Sequence, residues 1–325
     1  MPVSGRDYPR TWDQFLDWFA DEAACRRYLE GIRWRGGFVC PRCGEPGEAF
    51  RGSRGRWICR YCRYQCSVTA GTVFDKTRTS LRSWMAAVWY ITNQKQGVTA
   101  LGLQRVLGLG SYQTAWAILH RLRRAMIRPG RERLCGVVEV DETVIGRSGA
   151  NKARNTEQKH RIADRINALR SIVVIAVEVK EPKGFGRIRL RRVPDTSAAS
   201  VLPFVKDSIE PGSLVRTDGS WAYHKLPKNS YRRDKNVMLA ATDPAHVSLP
   251  AVHRVAALLK RWLLGTHQGA VKSKQLDYYL DEFTFRFNRR TSRSRGLLFY
   301  RLLQQAVVTE PLTYAQITGQ VKHNI

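Results

Sequence analysis

Two aspartates and two pairs of cysteines stand where their types and spacing could do chemistry. Asp141 and Asp218 each close an apolar, strand-like run, GVVEVDE at 136–142 and GSLVRTDGS at 212–220. Alternation along GVVEVDET puts Val138 and Val140 on one face and Glu139 and Asp141 on the other, which turns Glu142 away from the Asp141 side. Two such strands side by side would converge their carboxylates on one site for Mg²⁺ or Mn²⁺. There the ions can activate a nucleophile and stabilise a leaving 3′ oxygen. Strand-end aspartates also cap turns, and spacing alone leaves that role open.

The cysteines carry a more specific signal. Cys40 and Cys43 stand in CPRC, and Cys59 and Cys62 in CRYC, with 15 residues between the pairs. Each CxxC forms a tight knuckle that points two thiolates at one tetrahedral ion, and a hairpin between them brings the knuckles together: a zinc ribbon. A four-thiolate Zn²⁺ site is coordinatively closed, so it scaffolds and does not catalyse. Cys66 lacks a partner at CxxC distance, and Cys25 and Cys135 are isolated residues expected inside. Arg42, Arg51, Arg54, Arg56, Arg60 and Arg63, with Trp57 and Tyr61, surround the knuckles in a cluster suited to phosphate contact.

These groups sit in a strongly basic chain. Its 55 Lys and Arg against 27 Asp and Glu leave a net charge of +28, and the pI is near 10.4. Long-range attraction to phosphates is the natural consequence, so DNA or RNA is the expected partner and an anionic membrane surface the lesser alternative. The apolar run IVVIAV at 172–177 is far too short to cross a bilayer, and MPVSGRDYPRTWDQF lacks the apolar core of a signal peptide. A cytoplasmic, nucleoid-associated protein is expected. Five of seven cysteines fall between residues 40 and 66, a clustering that favours metal over a disulfide framework.

The elements that must position these residues follow from periodicity. A single amphipathic helix is predicted over 11–30, with Thr11 and Gln14 at capping-box spacing and Trp12, Phe15, Leu16 and Phe19 as its apolar stripe. Three helical pieces follow the cysteine module, at 81–93, 99–107 and 112–126. In the last, Trp116, Leu119, Leu122 and Met126 can face a core while Gln113, His120, Arg121, Arg123 and Arg124 face outward. This is the pattern of the second helix of a helix-turn-helix, and equally of a basic helix on a bundle surface. Beyond a linker at Pro129 and Gly130, strands are predicted at 136–144, 171–179, 186–193 and 213–217. Helices are predicted at 197–209, 250–265 and 274–288, and a polar loop at 147–168.

The order CPRC, CRYC, QCSVTAGTVFDKT, VEVDET, RTDGSWAYHKL, HRVAALLKRWLLGTHQG and YLDEFTFRFNRR resembles bacterial insertion-sequence transposases that join a zinc ribbon to a ribonuclease-H-like DDE catalytic domain. The likeness covers about residues 35–305. It implies that Asp141 is the first catalytic acid, on the first strand of that domain, and Asp218 the second, after its fourth strand. The third position departs from the usual acid. Alignment on LLKR places His253 where many relatives carry Glu or Asn, and Lys260 matches the accompanying basic residue. Histidine can ligate the metal through a neutral ring nitrogen but adds no negative charge, which favours Mn²⁺. His246 and Glu282 are the rival ligands, with a salt bridge or cap as the blander role for Glu282. Trp221 and Tyr223 are expected beside the same cleft or in the core.

The resemblance implies an α/β catalytic domain, a mixed sheet flanked by helices, preceded by the ribbon and a helix-turn-helix-like segment. The expected divisions are 1–34 helical, 35–75 ribbon, 76–130 helical and DNA-binding, 131–310 catalytic and 311–325 a tail. It implies a divalent-metal-dependent polynucleotidyl transferase that binds terminal inverted repeats, cuts the DNA and joins it to a target, acting as a homo-oligomer on DNA. Arg121, Arg123, Arg124, Lys260 and Arg261 are the expected DNA contacts. The competing class is a non-catalytic DNA-binding regulator descended from such an enzyme.

Overall fold

Side-chain caps set the start of most helices in the N-terminal part of the chain. The structure, a computed structural model, describes residues 2–128, 130–146, 170–180, 184–226, 230–235, 249–269 and 271–319. The chain divides into two units, Met1–Pro129 with Thr291–Ile325, and Gly130–Arg290. The segment 147–168 and His246 lie outside the described residues.

In the first unit, helix α1 (Trp12–Trp18) starts at Thr11, whose hydroxyl accepts from Gln14 N, and α2 (Glu22–Arg33) starts at Asp21, which accepts from Ala24 N. The single helix predicted over 11–30 is therefore two, because the Asp21 carboxylate satisfies a first-turn amide of a new helix. Phe15 and Phe19 are buried, whereas Trp12 and Leu16 remain exposed, so half of the predicted stripe is used. Strands β1 (Ala49–Arg51), β2 (Trp57–Cys59) and β3 (Gln65–Cys66) form an antiparallel sheet in that order. Arg51 is bidentate to Glu30 of α2 at 2.9 and 2.6 Å and covers the Trp57 ring at 3.8 Å, so this arginine holds the ribbon sheet to a helix. Helices α3 (Leu81–Asn93), α4 (Ala100–Leu107) and α5 (Tyr112–Arg124) begin at Ser80, Thr99 and Ser111. Glu22 adds a second cap to α3 by accepting from Leu81 N and Arg82 N. Gly108, at φ +60°, ends α4 where a side chain would be strained.

The second unit is a five-stranded mixed sheet with helices on both faces. Strands β4 (Val137–Ile145), β5 (Ser171–Val179) and β6 (Phe185–Val193) are antiparallel neighbours. Helix α6 (Ala198–Ser208) then leads to β7 (Leu214–Thr217) and β8 (Arg232–Lys235), an unpredicted strand of four polar residues. The order is β6-β5-β4-β7-β8, with β7 parallel to both β4 and β8. On one face Val173, Ile175, Val177, Ile188 and Leu190 pack against α7 (Pro250–His267) and α8 (Leu276–Asn288). On the other, Val138, Val140, Val174 and Ala176 pack against α6 and Tyr223. Cys135, expected inside, is exposed, and its amide donates to Glu178.

Helices α9 (Arg295–Ala306) and α10 (Tyr314–Thr318) close the chain within the first unit. The predicted catalytic segment ran on to 310, but Phe299 of α9 packs its ring against Phe15, Phe19 and Trp89 at centroid distances of 5.8, 5.7 and 5.6 Å. An aromatic cluster of that size, contributed by three helices, draws α9 to the N-terminal residues. Gly296 permits the approach: a Cβ there would stand 1.9 Å from Pro9 O. Gly296→Ala is expected to destabilise the first unit by about 1–3 kcal/mol through overpacking against a backbone atom. Urea unfolding followed by tryptophan fluorescence checks this, and unchanged stability would mean that the N-terminal residues move aside freely.

Candidate active site and thiolate cluster

Strand register brings the two aspartates together. β4 and β7 run parallel with Val140 opposite Thr217, so one step further Asp141 stands beside Asp218 at the same end of the sheet. The alternation read from sequence holds: Val138 and Val140 lie in the core against α6, and Glu139 and Asp141 point to the α7 face. There Glu139, only 2% exposed, accepts from Ala251 N at 2.8 Å and Val252 N at 2.9 Å. Burial raises its pKa, and the two amides oppose that rise. These are first-turn amides of α7 with no partner inside the helix, so the carboxylate locks that helix to β4.

The clamp sets what α7 presents. Val252, Val255, Leu259 and Leu263 face the core, while His253, Ala256, Ala257 and Lys260, spaced i, i+3, i+4 and i+7, line a cleft of about 350 Å³ with Asp141, Glu142 and Thr143. Two alanines between His253 and Lys260 leave the room. His253 Nε2 lies 3.9 Å from Asp141 Oδ2. Two donors each about 2.1 Å from one ion stand at most about 4.2 Å apart, so this pair fits a shared divalent cation. Burial, then the Asp218 charge, raises the pKa of Asp141, against the Glu142 amide and His253, which lower it. Two carboxylates thus share one end of the sheet, a concentration of negative charge that suits a cation.

Several residues that hold Asp218 were not read as functional. Its Oδ1 accepts from Ser220 N at 3.0 Å, and Arg233 of β8 donates to Asp218 O and Ser220 O, both at 3.1 Å, and to Thr217 Oγ1. Glu142 does lie on the face opposite Asp141, as alternation requires, but it is not remote from the site as that implied. It borders the cleft and accepts a hydrogen bond from the hydroxyl of buried Tyr223. Burial, together with the charges of Asp141 and Asp218, pushes the Glu142 carboxyl up to about 7. Tyr223 follows the turn after Asp218, so the Tyr223–Glu142 bond ties the Asp218 loop to the Asp141 strand. The alternation of Glu142 with Asp141 was visible beforehand; its partner was not, because 81 residues separate the two.

The cysteines form a cluster of another kind. Cys40, Cys43, Cys59 and Cys62 are the group of potential ligands whose donor atoms all lie within 4.8 Å, and among the described residues no other set of three or more His, Cys, Asp or Glu does so. Sγ separations of 3.6 Å for Cys40–Cys62 and 3.8 Å for Cys43–Cys59 match the edge of a tetrahedron with Zn–S bonds of about 2.3 Å, which is about 3.8 Å. Cys66 is buried beside the cluster without joining it, and Cys25 is buried in α2.

Comparison with known proteins matches both parts of the chain to domain families. Residues 20–65 match the transposase zinc-ribbon domain family, and residues 133–288 match the ISXO2-like transposase domain family. The chain carries the two domains of an insertion-sequence transposase. It is 26% identical over 276 residues to an uncharacterized protein in transposable element ISH50 of Halobacterium salinarum, covering 82% of this chain and 91% of that protein. Asp141, Asp218, His253 and Lys260 all fall inside the matched transposase domain, and the four cysteines inside the matched ribbon.

Within the transposase domain, Glu282 is fully buried and its Oε1 pairs with Arg286 at 2.7 Å, the salt bridge expected as its blander role; it does not line the cleft. Lys260 and Arg261 are exposed on α7. The outward face read for α5 needs correction. His120 is 0% and Arg123 1% exposed, Arg121 is half-buried with Nε donating to Leu312 O at 2.8 Å, and only Gln113 and Arg124 of that set are exposed. Helix α5 is covered on more than one side by α3, α4 and the C-terminal segment, and periodicity within one helix does not reveal that. Among the ribbon arginines, Arg60 is paired with Glu48 and Arg42 lies over the Tyr64 ring. Among the described residues no helix is long and apolar enough to cross a membrane.

Two outcomes are expected. Cys59→Ser should lower bound zinc from one to below one ion per chain, measured by elemental analysis, and open residues 34–70 to protease; full zinc retention would show that three thiolates suffice. Tyr223→Phe removes the donor to a buried carboxylate and should cost about 1–3 kcal/mol in urea unfolding. An unchanged midpoint would show that water replaces the hydroxyl.

Proposed function

We propose that the chain is a DNA transposase that binds the terminal inverted repeats of an insertion sequence, cleaves the strands at the element's ends and joins them to target DNA. The observation that carries this reading is the parallel β4–β7 register, which sets Asp141 beside Asp218 under the helix that brings His253 within 3.9 Å of Asp141. The sheet is read as ribonuclease-H-like. In support, Asp141 lies on its first strand in chain order and Asp218 follows its fourth.

Asp141, Asp218 and His253 are the residues that would hold Mg²⁺ or Mn²⁺, which when bound supplies Lewis-acid activation of water and charge stabilisation at the leaving 3′ oxygen. Asp141 and Asp218 are positioned by adjacent strands, so their separation is set by the sheet. Glu139 orients His253 through the start of α7, and Lys260, two turns on, offers a cation to the phosphate beside the scissile bond. Water hydrolyses the phosphodiester, and the freed 3′ hydroxyl then attacks a target phosphorus in line, exchanging one phosphodiester for another with no covalent link to the protein.

The zinc ribbon and helices α4 and α5 are assigned to the repeats, with Arg124 the α5 arginine of the predicted set that is exposed to reach phosphate. Lys260 and Arg261 are assigned to DNA at the catalytic face. Coordinated cleavage of two ends calls for a homo-oligomer on DNA, and the net charge of +28 suits a nucleoid-associated, cytoplasmic protein. The histidine at the third position, which adds no negative charge, favours one competing reading, a DNA-binding regulator that no longer cuts.

Asp141→Ala, Asp218→Ala and His253→Ala should each lower cleavage of a duplex carrying the element's end by roughly 100- to 1,000-fold or more in Mn²⁺, while repeat binding in a gel-shift assay stays unchanged. Wild-type protein that binds repeats without nicking them in either metal would establish the regulator. Retained cleavage by His253→Ala would remove that residue from the metal site.

A further inference from the structure

Trp221 is 78% exposed, more than any other large apolar side chain among the described residues. A single exposed aromatic is ordinary on a protein surface. This one differs in being held rigidly, three residues past Asp218. Its neighbours Ala222 and Tyr223 are buried, and Tyr223 is bonded to Glu142. Ser220 caps the turn, His224 N donates to Trp221 O at 3.1 Å, and Arg233 holds Ser220 O from below. These bonds hold the turn that presents the indole to solvent. One face of the ring is already taken: His224 stacks on it with centroids 4.2 Å apart and planes 13° from parallel, and His224 Nδ1 is fixed 2.7 Å from Trp221 O. The result is a flat aromatic surface three residues along the chain from a candidate catalytic carboxylate, backed by a second ring and open to solvent.

We propose that Trp221, supported by His224, is a stacking platform for a nucleobase displaced from the duplex next to the scissile phosphate. The inference rests on the phosphoryl-transfer reading of the Asp141–Asp218 site. To enter a cleft between the sheet and helix α7, the strand being cut must leave its regular stack, and unstacking is unfavourable unless another π face receives the base. Every base has such a face, so the platform takes a base by shape and polarisability without reading its identity. Asp218, at the start of the turn, has its Oδ1 occupied by the Ser220 amide.

The test uses the full-length, zinc-loaded chain and an end-bearing duplex in which thymines flanking the cleaved bond are replaced one at a time by 5-iodouracil, a base that photo-crosslinks to aromatic rings stacked on it. Without added divalent metal, wild-type protein should crosslink at one position, with the adduct mapped to Trp221 by mass spectrometry. Trp221→Tyr should keep a crosslink there and Trp221→Ala should lose it. In Mn²⁺, Trp221→Ala should cut the paired duplex on the order of 10- to 100-fold more slowly, and a mismatch at the crosslinked position should restore most of the rate. That rescue would not follow from a merely structural defect. Crosslinks that map only elsewhere, or Trp221→Ala cutting paired DNA at the wild-type rate, overturn the platform. Wild-type protein that crosslinks at Trp221 yet never cleaves would overturn the catalytic reading while leaving the platform in place.

Discussion

A buried carboxylate, Glu139, accepting the first-turn amides of α7 is the contact on which the arrangement of the site depends. Strand β4 carries both Glu139 and Asp141, on the same face and two residues apart. The residue that anchors the helix therefore also fixes the helix relative to the catalytic candidate. From that anchor, helical geometry alone delivers His253 next to Asp141 and Lys260 two turns further along the cleft. Burying a carboxylate is unfavourable, as the raised pKa of Glu139 reflects, but two charge-assisted bonds to otherwise orphaned amides offset much of that cost. The apolar side of α7, Val252, Val255, Leu259 and Leu263, then closes on β5 and β6 and excludes water from the anchor.

The second aspartate is governed by a different force. A parallel strand pair sets Asp218 beside Asp141, and two anions so placed repel; the pKa of Asp141 is raised in part for that reason. The loop after β7 is restrained accordingly, by Arg233 beneath it, by the Ser220 amide on Asp218, and by Tyr223 reaching Glu142. Each of these bonds opposes the drift apart that repulsion favours in the absence of a cation. Two carboxylates therefore share one end of the sheet, and the turn that carries Asp218 also leaves Trp221 exposed.

The zinc ribbon reaches its geometry by other means. Four thiolates within 4.8 Å of one another would repel if ionised, so the knuckles of a small, sheet-poor module depend on the ion they converge on. Arg51, which composition alone groups with the phosphate-seeking arginines, is instead bidentate to Glu30 and stacked on Trp57. A basic cluster in sequence is therefore a mixture of structural and free cations, and only the partners separate them.

The sequence by itself determined the features that arise from local repetition or chemically strict spacing. The CxxC pairs, the helix at 81–93 and most of the one predicted over 112–126, the alternation of Glu139 and Asp141 on β4, and the spacing of His253 and Lys260 are of this kind, because a knuckle, a helical turn and a pleat each span only a few residues. Tertiary structure alone decided which partner each buried polar group meets. It turned Arg123 and His120 inward under covering helices, gave Glu282 to Arg286, joined Glu142 to Tyr223, and drew the helix at 295–306 to the N-terminal aromatics. It also made a strand of the polar run at 232–235, whose place in the sheet comes from pairing with β7 and not from any pattern of its own. The physical reason is common to all of these: burial and pairing depend on residues far apart in the chain, and a periodicity measured within one element carries no record of what packs against its other faces.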